Sequence, residues 1–415
     1  MTTNKPIIAL LGGMNLTAQN VYRTGVEYLE KQFEVVVFDC RPFLQRPIDP
    51  RIEIDPRFRR IYQLTSLGDL VSILQSLKPV YAIDFIGPCR EMKLIQPALR
   101  IAGCKFVIQK LGQLPQPNFL IRRSNQFSKL LRHIIGEQQH KTSSSFNISE
   151  TFFENTRLLP RLSKLMEALQ EHFQMRYFGI ADIAVAAGSQ AIKSCSKLAN
   201  FVVSTKSSDV HLFNDSKKNS NFHSNLGLPT KFAVFIDDAL IDATDWKLIG
   251  IKPPIRVYEY FTHLNSFFTR IEAVLGIEVV IAGHPQCEGN RGYISRFLHR
   301  SVVFRNTPDL VLRSEMSIVH ASTATSFAIL ADKPIAIITT SELNRSHYGE
   351  NIRKLAKSLE HKTIFMDQDW KESDLEVGNT KAYPRYIKKF LYDDSAFETS
   401  PWESFLSYTS KKVLA

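Results

Sequence analysis

Short apolar runs alternate with amphipathic segments along most of the chain. PIIALLGG, EVVVFDC and VYAIDFIGP have the length and apolar content of buried strands, and NVYRTGVEYLEKQ and LGDLVSILQSLKP have helical spacing. Strands and helices that alternate in this way predict a parallel sheet. The same rhythm returns from KFAVFIDD onwards. We therefore predict an α/β protein of two Rossmann-type parallel-sheet lobes that face each other across a cleft.

Two interruptions of this rhythm set the predicted boundaries. The polar stretch 214–230, with Gly and Pro near its end, is the best linker candidate. The first lobe is accordingly assigned to residues 1–225, with a helical insertion at about 120–175, and the second lobe to residues 226–390. Residues 391–415 are expected to form a helical segment that packs back across the cleft.

The composition fits an ordinary globular protein. Of 415 residues, 44% are hydrophobic and 22% charged, and the five cysteines form no CxxC pair that would indicate zinc or a disulfide framework. The start of the chain does not read as a signal peptide, and no apolar run approaches the roughly 20 residues of a membrane span. We expect a cytoplasmic protein.

The net charge of +11 leaves three partner classes open: nucleic acid, an anionic membrane surface and phosphorylated substrates. FLIRRSNQFSKLLRH mixes basic and apolar residues as a membrane-surface helix does, although a helix packed on the protein has the same pattern. No RNA-binding signature is present. Peripheral contact with the anionic inner membrane is therefore an expectation, and binding of nucleic acid is not.

Two apolar strands each stop at a histidine. In VVIAGHP the strand ends at Gly283, His284 and Pro285, and an imidazole presented there can bind a phosphate. A buried histidine bonded to the backbone is the alternative. MSIVHASTATSF places Ser322, Thr323, Thr325 and Ser326 after the second strand, which is more hydroxyls than a helix N-cap needs. A turn of this kind at a helix start predicts an anion site.

A third strand, in FAVFIDDALIDATDW, ends at Asp237 and Asp238. Two carboxylates at the mouth of a cleft can act as a base or a nucleophile, although they also occur as turn or capping residues. The acid pair, the His-Pro dipeptide and the hydroxyl cluster follow one another in the second lobe.

This order resembles that of bacterial GT-B glycosyltransferases that use CMP-activated ulosonic acids, the sialyltransferase-like and Kdo-transferase-like enzymes of surface polysaccharide synthesis. The resemblance covers Phe232 to Leu343. It implies that Asp238 is the general base, that His284 contacts the CMP phosphate, and that Ser322 and Thr323 hydrogen-bond to it. The chain departs from the pattern at Ala239, where the family has Gly, so Asp242 and Asp245 remain alternative acids.

The resemblance implies an enzyme that moves Kdo or a sialic-acid-like nonulosonic acid from its CMP donor to a saccharide acceptor, including a lipid-linked one. It would make lipopolysaccharide, O-antigen or capsule, and the CMP-sugar would serve in place of a cofactor. Inverting and retaining outcomes both stay open. Alternatives are a UDP-sugar 2-epimerase, a CDP-polyol phosphotransferase and a non-catalytic scaffold at the membrane.

Further polar residues follow strand ends of the first lobe, where parallel sheets bind ligands. The candidates for contact with sugar or acceptor are Gly12, Gly13, Asn15, Gln109 and Lys110. Glu150 and Glu154 are read as capping or solvent-facing residues. The one Asp-x-Asp triplet, 367–369, is read as a helix cap, so no metal site is expected.

Overall fold

The first lobe is built on one parallel sheet. A computed structural model describes residues 5–46, 48, 53–87, 91–112, 114–115, 180–218, 227–242, 252–375, 380–397 and 399–413. The strands are β1 (Ile7–Gly12), β2 (Glu34–Asp39), β3 (Ile61–Gln63), β4 (Tyr81–Phe85), β5 (Lys105–Lys110), β6 (Ala181–Ala187) and β7 (Ala199–Thr205). Their spatial order is β3-β2-β1-β4-β5-β6-β7, and every pairing is parallel.

Helices cover both faces of this sheet, and an apolar core lies under each face. They are α1 (Ala18–Thr24), α2 (Val26–Leu29), α3 (Leu67–Leu77), α4 (Met92–Ile101), α5 (Ser189–Cys195) and α6 (Ser208–Lys218). Because the central strands are covered on both sides, they are apolar at nearly every position, which explains the continuous apolar runs in the sequence.

The second lobe repeats the plan. Its strands are β8 (Phe232–Ile236), β9 (Glu278–Gly283), β10 (Val302–Phe304), β11 (Met316–Val319), β12 (Ile335–Thr339) and β13 (Thr363–Phe365). They lie in the order β10-β9-β8-β11-β12-β13, again all parallel. Counted from β8, this is the 3-2-1-4-5-6 order of a Rossmann sheet, whose direction of progression reverses between β8 and β11.

The helices of the second lobe include one long amphipathic helix, α7 (Val257–Leu275), which buries an aromatic-rich face on the sheet. The others are α8 (Arg291–Ile294), α9 (Thr307–Arg313), α10 (Thr325–Leu330), α11 (Ser341–Arg345), α12 (His347–Leu359) and α13 (Tyr383–Tyr386). The predicted α/β class with two Rossmann-type parallel-sheet lobes is confirmed. None of the helices in the described part of the chain is long and apolar enough to cross a membrane.

Elements near the carboxyl ends of both sheets meet at α6. Tyr22 of α1 donates to the carbonyl of Ser208 at 3.2 Å, and Tyr28 of α2 bonds to His211 at 2.8 Å. On the other side, Ser326 of α10 donates to Asp209 at 2.7 Å. Because α1 follows β1 and α10 follows β11, α6 joins the carboxyl edges of the two sheets.

The end of the chain returns to the first lobe. A π-helix (Ile387–Leu391) contacts α5 and α10, and the last helix, α14 (Pro401–Val413), packs on α2 and β7. Trp402 is buried there and donates its indole N–H to the carbonyl of Arg23 at 3.2 Å. Within the described ranges, the strands up to β7 belong to the first lobe, those from β8 to β13 belong to the second, and α14 lies on the first lobe again.

Several sequence predictions lie wholly or partly outside the described residues. They are the helical insertion at about 120–175, the basic segment FLIRRSNQFSKLLRH, Glu150, Glu154, Asp245 and the boundary at 225/226. The first residues of the predicted linker are helical, because α6 continues through Lys218.

Candidate active site

The acid pair lies at the point where the second sheet reverses its order. Ile236 is the last residue of β8 and pairs with Val319 of β11 on one side and Ala282 of β9 on the other. Asp237 and Asp238 therefore leave the sheet between the ends of β11 and β9. In parallel α/β sheets this position, beyond the carboxyl ends at the reversal, is where ligands bind.

A tyrosine hydroxyl is bonded to each carboxylate of the pair. Tyr293 donates to Asp237 Oδ2 at 2.5 Å, and Tyr348 donates to Asp238 Oδ2. The second oxygen of Asp238, Oδ1, is buried and has no hydrogen-bond partner. A buried, unpaired carboxylate oxygen is costly, so it needs an explanation in terms of structure or function.

Burial, and after it the neighbouring charge of Asp238, raises the pKa of Asp237 to about 7. The hydrogen bonds from Tyr293 and from the Ala239 amide act in the opposite sense. The protonated form of Asp237 is thus favoured near neutrality. A raised pKa on one of two adjacent carboxyls is the expected result of repulsion between their charges.

Ala239 adopts the left-handed backbone conformation, with φ of 51°. A side chain is disfavoured there and glycine is not. Position 239, where the resembled family has Gly, thus has a backbone conformation that glycine adopts readily. Ala239 departs from the family residue while keeping the conformation that a glycine would provide.

The two strand-end histidines have different surroundings. His320, after β11, is fully buried, and its Nδ1 donates to the carbonyl of Ile338 at 2.7 Å while its Nε2 accepts from Tyr260 at 2.9 Å. Burial lowers the pKa of His320, so the ring is neutral and its role is structural.

His284, after β9, is only half-buried. Its Nδ1 accepts from the Gln286 amide at 3.3 Å, so the hydrogen of the neutral ring is on Nε2. Pro285 begins a short 3-10 helix that fixes this turn. Packing explains why residue 283 is glycine, because a Cβ there would come within 2.6 Å of the Phe304 ring. The His284 amide donates to Tyr293 Oη at 3.4 Å, which links this turn to the acid pair.

The hydroxyl cluster divides into two inner and two outer residues. Thr325 and Ser326 are buried: Thr325 donates to the carbonyl of Ser322 at 2.7 Å, and the Ser326 hydroxyl lies 2.9 Å from the carbonyl of Thr323, so both brace the turn. Ser322 is half-buried and Thr323 exposed. The outer pair is therefore the accessible part of the cluster, and the helix that follows has only six residues.

Three further acids considered in the sequence analysis, Asp242, Asp367 and Asp369, lie in the described part of the chain, and each has a neighbouring partner. Asp242 forms an ion pair with Arg296 at 2.7 Å. In the 367–369 triplet, Asp367 accepts from the amide of Ser341 at 2.9 Å and so caps α11, which precedes the triplet in sequence rather than following it. Asp369 is fully exposed, 3.8 Å from Arg270. Within the described ranges, no cluster of three or more His, Cys, Asp and Glu could hold a metal.

The five first-lobe candidates all lie at the carboxyl edge of the first sheet. Gly12 ends β1, and the carbonyl of Gly13 accepts from Arg46 at 2.8 Å. The Asn15 side chain accepts from Arg41 at 2.6 Å. Gln109 and Lys110 end β5, and Lys110 donates to Ser194 at 2.9 Å.

Three residues of this site were missed by sequence reasoning: Tyr260, Tyr293 and Tyr348. They come from α7, α8 and α12, which are separated along the chain by other elements. No motif or spacing relates them to the acid pair, and single tyrosines in amphipathic helices are common in protein cores.

No protein-family model and no curated protein matches the sequence. Several solved structures share the overall arrangement. For Phytolacca americana UGT2 with UDP-2-fluoro-glucose and pterostilbene, the identity is 10%, the coverage 98% and 99% of the two chains, and the TM-score 0.45. For S. aureus MnaA with UDP, the identity is 11%, the coverage 99% of this chain and 97% of that chain, and the TM-score 0.46. For the wall teichoic acid polymerase TagF, the identity is 10%, the coverage 99% and 90%, and the TM-score 0.47. Likeness at this level carries no inference about activity, so that inference depends on the site itself.

Proposed function

We propose that this protein is a glycosyltransferase whose donor is a CMP-activated ulosonic acid and whose acceptor is a saccharide of a bacterial surface polysaccharide. The observation that carries the proposal is the state of Asp238: one carboxylate oxygen is bound by Tyr348, and the other is buried without a partner at the reversal point of a Rossmann sheet. The order of the three motifs in the second lobe supports the same donor class.

The proposed reaction needs a base for the acceptor and a site for the leaving phosphate. Asp238 Oδ1 takes the proton of the acceptor hydroxyl as the acceptor oxygen bonds to the anomeric carbon. The bond between that carbon and the phosphate oxygen breaks, and its electron pair leaves with CMP. Charge thus develops on the phosphate while it disappears from the base, and each change needs a group preorganised for it.

The phosphate contacts would come from His284 and the outer hydroxyls of the Ser322–Ser326 turn. His284 Nε2 is a donor, and Ser322 accepts from the Ala324 amide at 3.2 Å, which leaves its hydroxyl hydrogen for a ligand. Thr325 and Ser326 act indirectly by holding the turn. We assign the acceptor to the first lobe, where the candidate residues lie on the facing sheet edge.

Binding and transfer should separate in variants. His284→Ala and Ser322→Ala are expected to weaken CMP binding about 10- to 100-fold each, the value of a hydrogen bond to a charged group. Asp238→Asn should leave CMP binding unchanged and lower transfer by a factor of about 10² to 10⁴, as loss of a general base does. Calorimetry with CMP and a transfer assay measure the two effects.

His299→Ala is the matched control, because this exposed histidine lines a cavity together with Glu278, the first residue of β9, and so lies near the amino end of that strand. It should change neither quantity. A thermal-shift comparison of CMP, UDP and CDP tests the donor class. Stabilisation by UDP alone would favour the epimerase alternative, and stabilisation by CDP alone the polyol-phosphate alternative; either would contradict the CMP assignment.

A further inference from the structure

Tyr348 projects from a rigid corner between α11 and α12. The Ser346 side chain caps α12 by accepting from the amide of Gly349 at 3.2 Å. A side chain at Gly349 would collide with the carbonyls of Leu343 and Asn344, so the two helices touch backbone to backbone beside Tyr348. A side chain anchored between a cap and such a contact has little freedom to move, which is what a residue that orients another needs.

The hydroxyl of Tyr348 can only be the donor in its bond to Asp238. Burial and the charge of Asp238 raise the pKa of Tyr348 well above its ordinary value, so the phenol keeps its proton. A hydrogen bond to a charged acceptor is roughly twice as strong as one between neutral groups. This bond therefore fixes the carboxylate plane and occupies Oδ2.

The other polar groups around Asp238 have different assignments. Tyr293 bonds to Asp237, and Tyr260 bonds to His320, which burial keeps neutral. Asp242 is paired with Arg296. Of these surrounding side chains, Tyr348 is the one that donates a hydrogen bond to Asp238.

We propose that Tyr348 is a positioning residue for the acid pair: by occupying Asp238 Oδ2, it makes Oδ1 the oxygen that receives the acceptor proton. That the proton comes from an acceptor hydroxyl rests on the proposed function. The pairing of Tyr348 with Asp238 rests on the contacts alone. Tyr348 touches no reacting atom and acts through Asp238.

A double-mutant cycle tests the pairing without any substrate. Unfolding is measured by urea at pH 8 for the intact protein, Tyr348→Phe, Asp238→Asn and the double variant. Because a charge-assisted bond is lost in one background and a neutral one in the other, Tyr348→Phe should raise the unfolding equilibrium constant about tenfold more with Asp238 present than with Asn in its place. Equal effects in the two backgrounds would overturn the proposal.

Tyr383→Phe is the matched control, since it also loses one tyrosine hydroxyl bond, to the carbonyl of Lys333 at 2.8 Å, away from the acids. Its effect should be the same with or without Asp238. Circular dichroism confirms that each variant folds. Should Tyr348→Phe fail to fold, Asp238→Asn is compared with Asp238→Ala: Asn can still accept from Tyr348 and Ala cannot, so Asp238→Ala should be the less stable of the two, and equal stability would overturn the pairing.

The role in catalysis is tested by the split between kcat and KM. Without the bond to Oδ2, the carboxylate can rotate, so Tyr348→Phe should lower kcat about 10- to 100-fold and leave KM for the donor within about twofold. The acidic limb of the pH–rate profile should move to higher pH, because the carboxylate has lost a hydrogen-bond donor. A change confined to KM, or an unmoved pH profile, would overturn the positioning role. An intact protein inactive with every nucleotide sugar would overturn the proposed function instead, because the cycle measures the pairing separately.

Discussion

Replacing Asp237 by Asn is predicted to stabilise the protein at pH 8, although this acid lies at the centre of the proposed site. Burial raises the pKa of Asp237 from 3.8 to about 7. A carboxyl whose pKa is higher in the folded state contributes most to stability below its unfolded pKa, and that contribution is lost as the pH rises through the folded value. Ionised Asp237 therefore destabilises the fold.

The size of the effect follows from the shift. A difference of roughly three pKa units is worth about 4 kcal/mol at about 1.36 kcal/mol per unit. About 3 kcal/mol of this penalty develops between pH 5 and pH 8, because the unfolded acid is already ionised at pH 5. Asn does not ionise and can still accept from Tyr293, so the free energy of unfolding of the variant should fall much less as the pH rises.

The assay is urea unfolding of the intact protein and Asp237→Asn at pH 5, 6.5 and 8. The stability of the variant relative to the intact protein should rise by about 2 to 3 kcal/mol across this range. Asp242→Asn is the control, because that acid is partly exposed in an ion pair with Arg296 and should lose only about 0–1 kcal/mol at each pH. A difference between Asp237→Asn and the intact protein that does not change with pH would refute the reasoning.

Three further changes test other parts of the structure. Trp402→Ala should cost about 3 to 5 kcal/mol in thermal unfolding, since the indole packs against Gly25 in the first-lobe core; an unchanged Tm would mean that α14 is not docked there. Ala239→Gly should change stability by less than about 1 kcal/mol, because relief of the left-handed backbone offsets the lost methyl and the added chain entropy, whereas Ala239→Val should be clearly destabilising. Burial raises the pKa of Asp209 to about 6 and the Ser326 bond opposes this, so Ser326→Ala should lower stability by about 1 to 2 kcal/mol at pH 8 and less at pH 5.

The two-lobe fold could be predicted because each central strand is covered on both faces. Runs such as those of β1 and β8 are apolar throughout, and segments of helical periodicity separate the strands, as a parallel sheet requires. The start of α6 was not predicted, because Ser208–Lys218 is mostly polar and its burial depends on contacts with α9 and α10.

At the site, the acid pair and the strand-end residues could be predicted from chain order, but their surroundings could not. His284 and His320 follow similar apolar strands, yet one is half-buried at a turn and the other fully enclosed beneath α7. The difference depends on tertiary neighbours: Tyr260 and the carbonyl of Ile338 enclose His320. The tyrosines that hold the acids come from distant helices, so only tertiary packing brings them to the site.

The most direct test is a crystal structure of the protein with CMP. The account predicts that the phosphate lies within hydrogen-bond distance of His284 Nε2 and the Ser322 hydroxyl, beside the unpaired oxygen of Asp238. A phosphate bound in the first lobe, or at the amino edge of the second sheet, would contradict it.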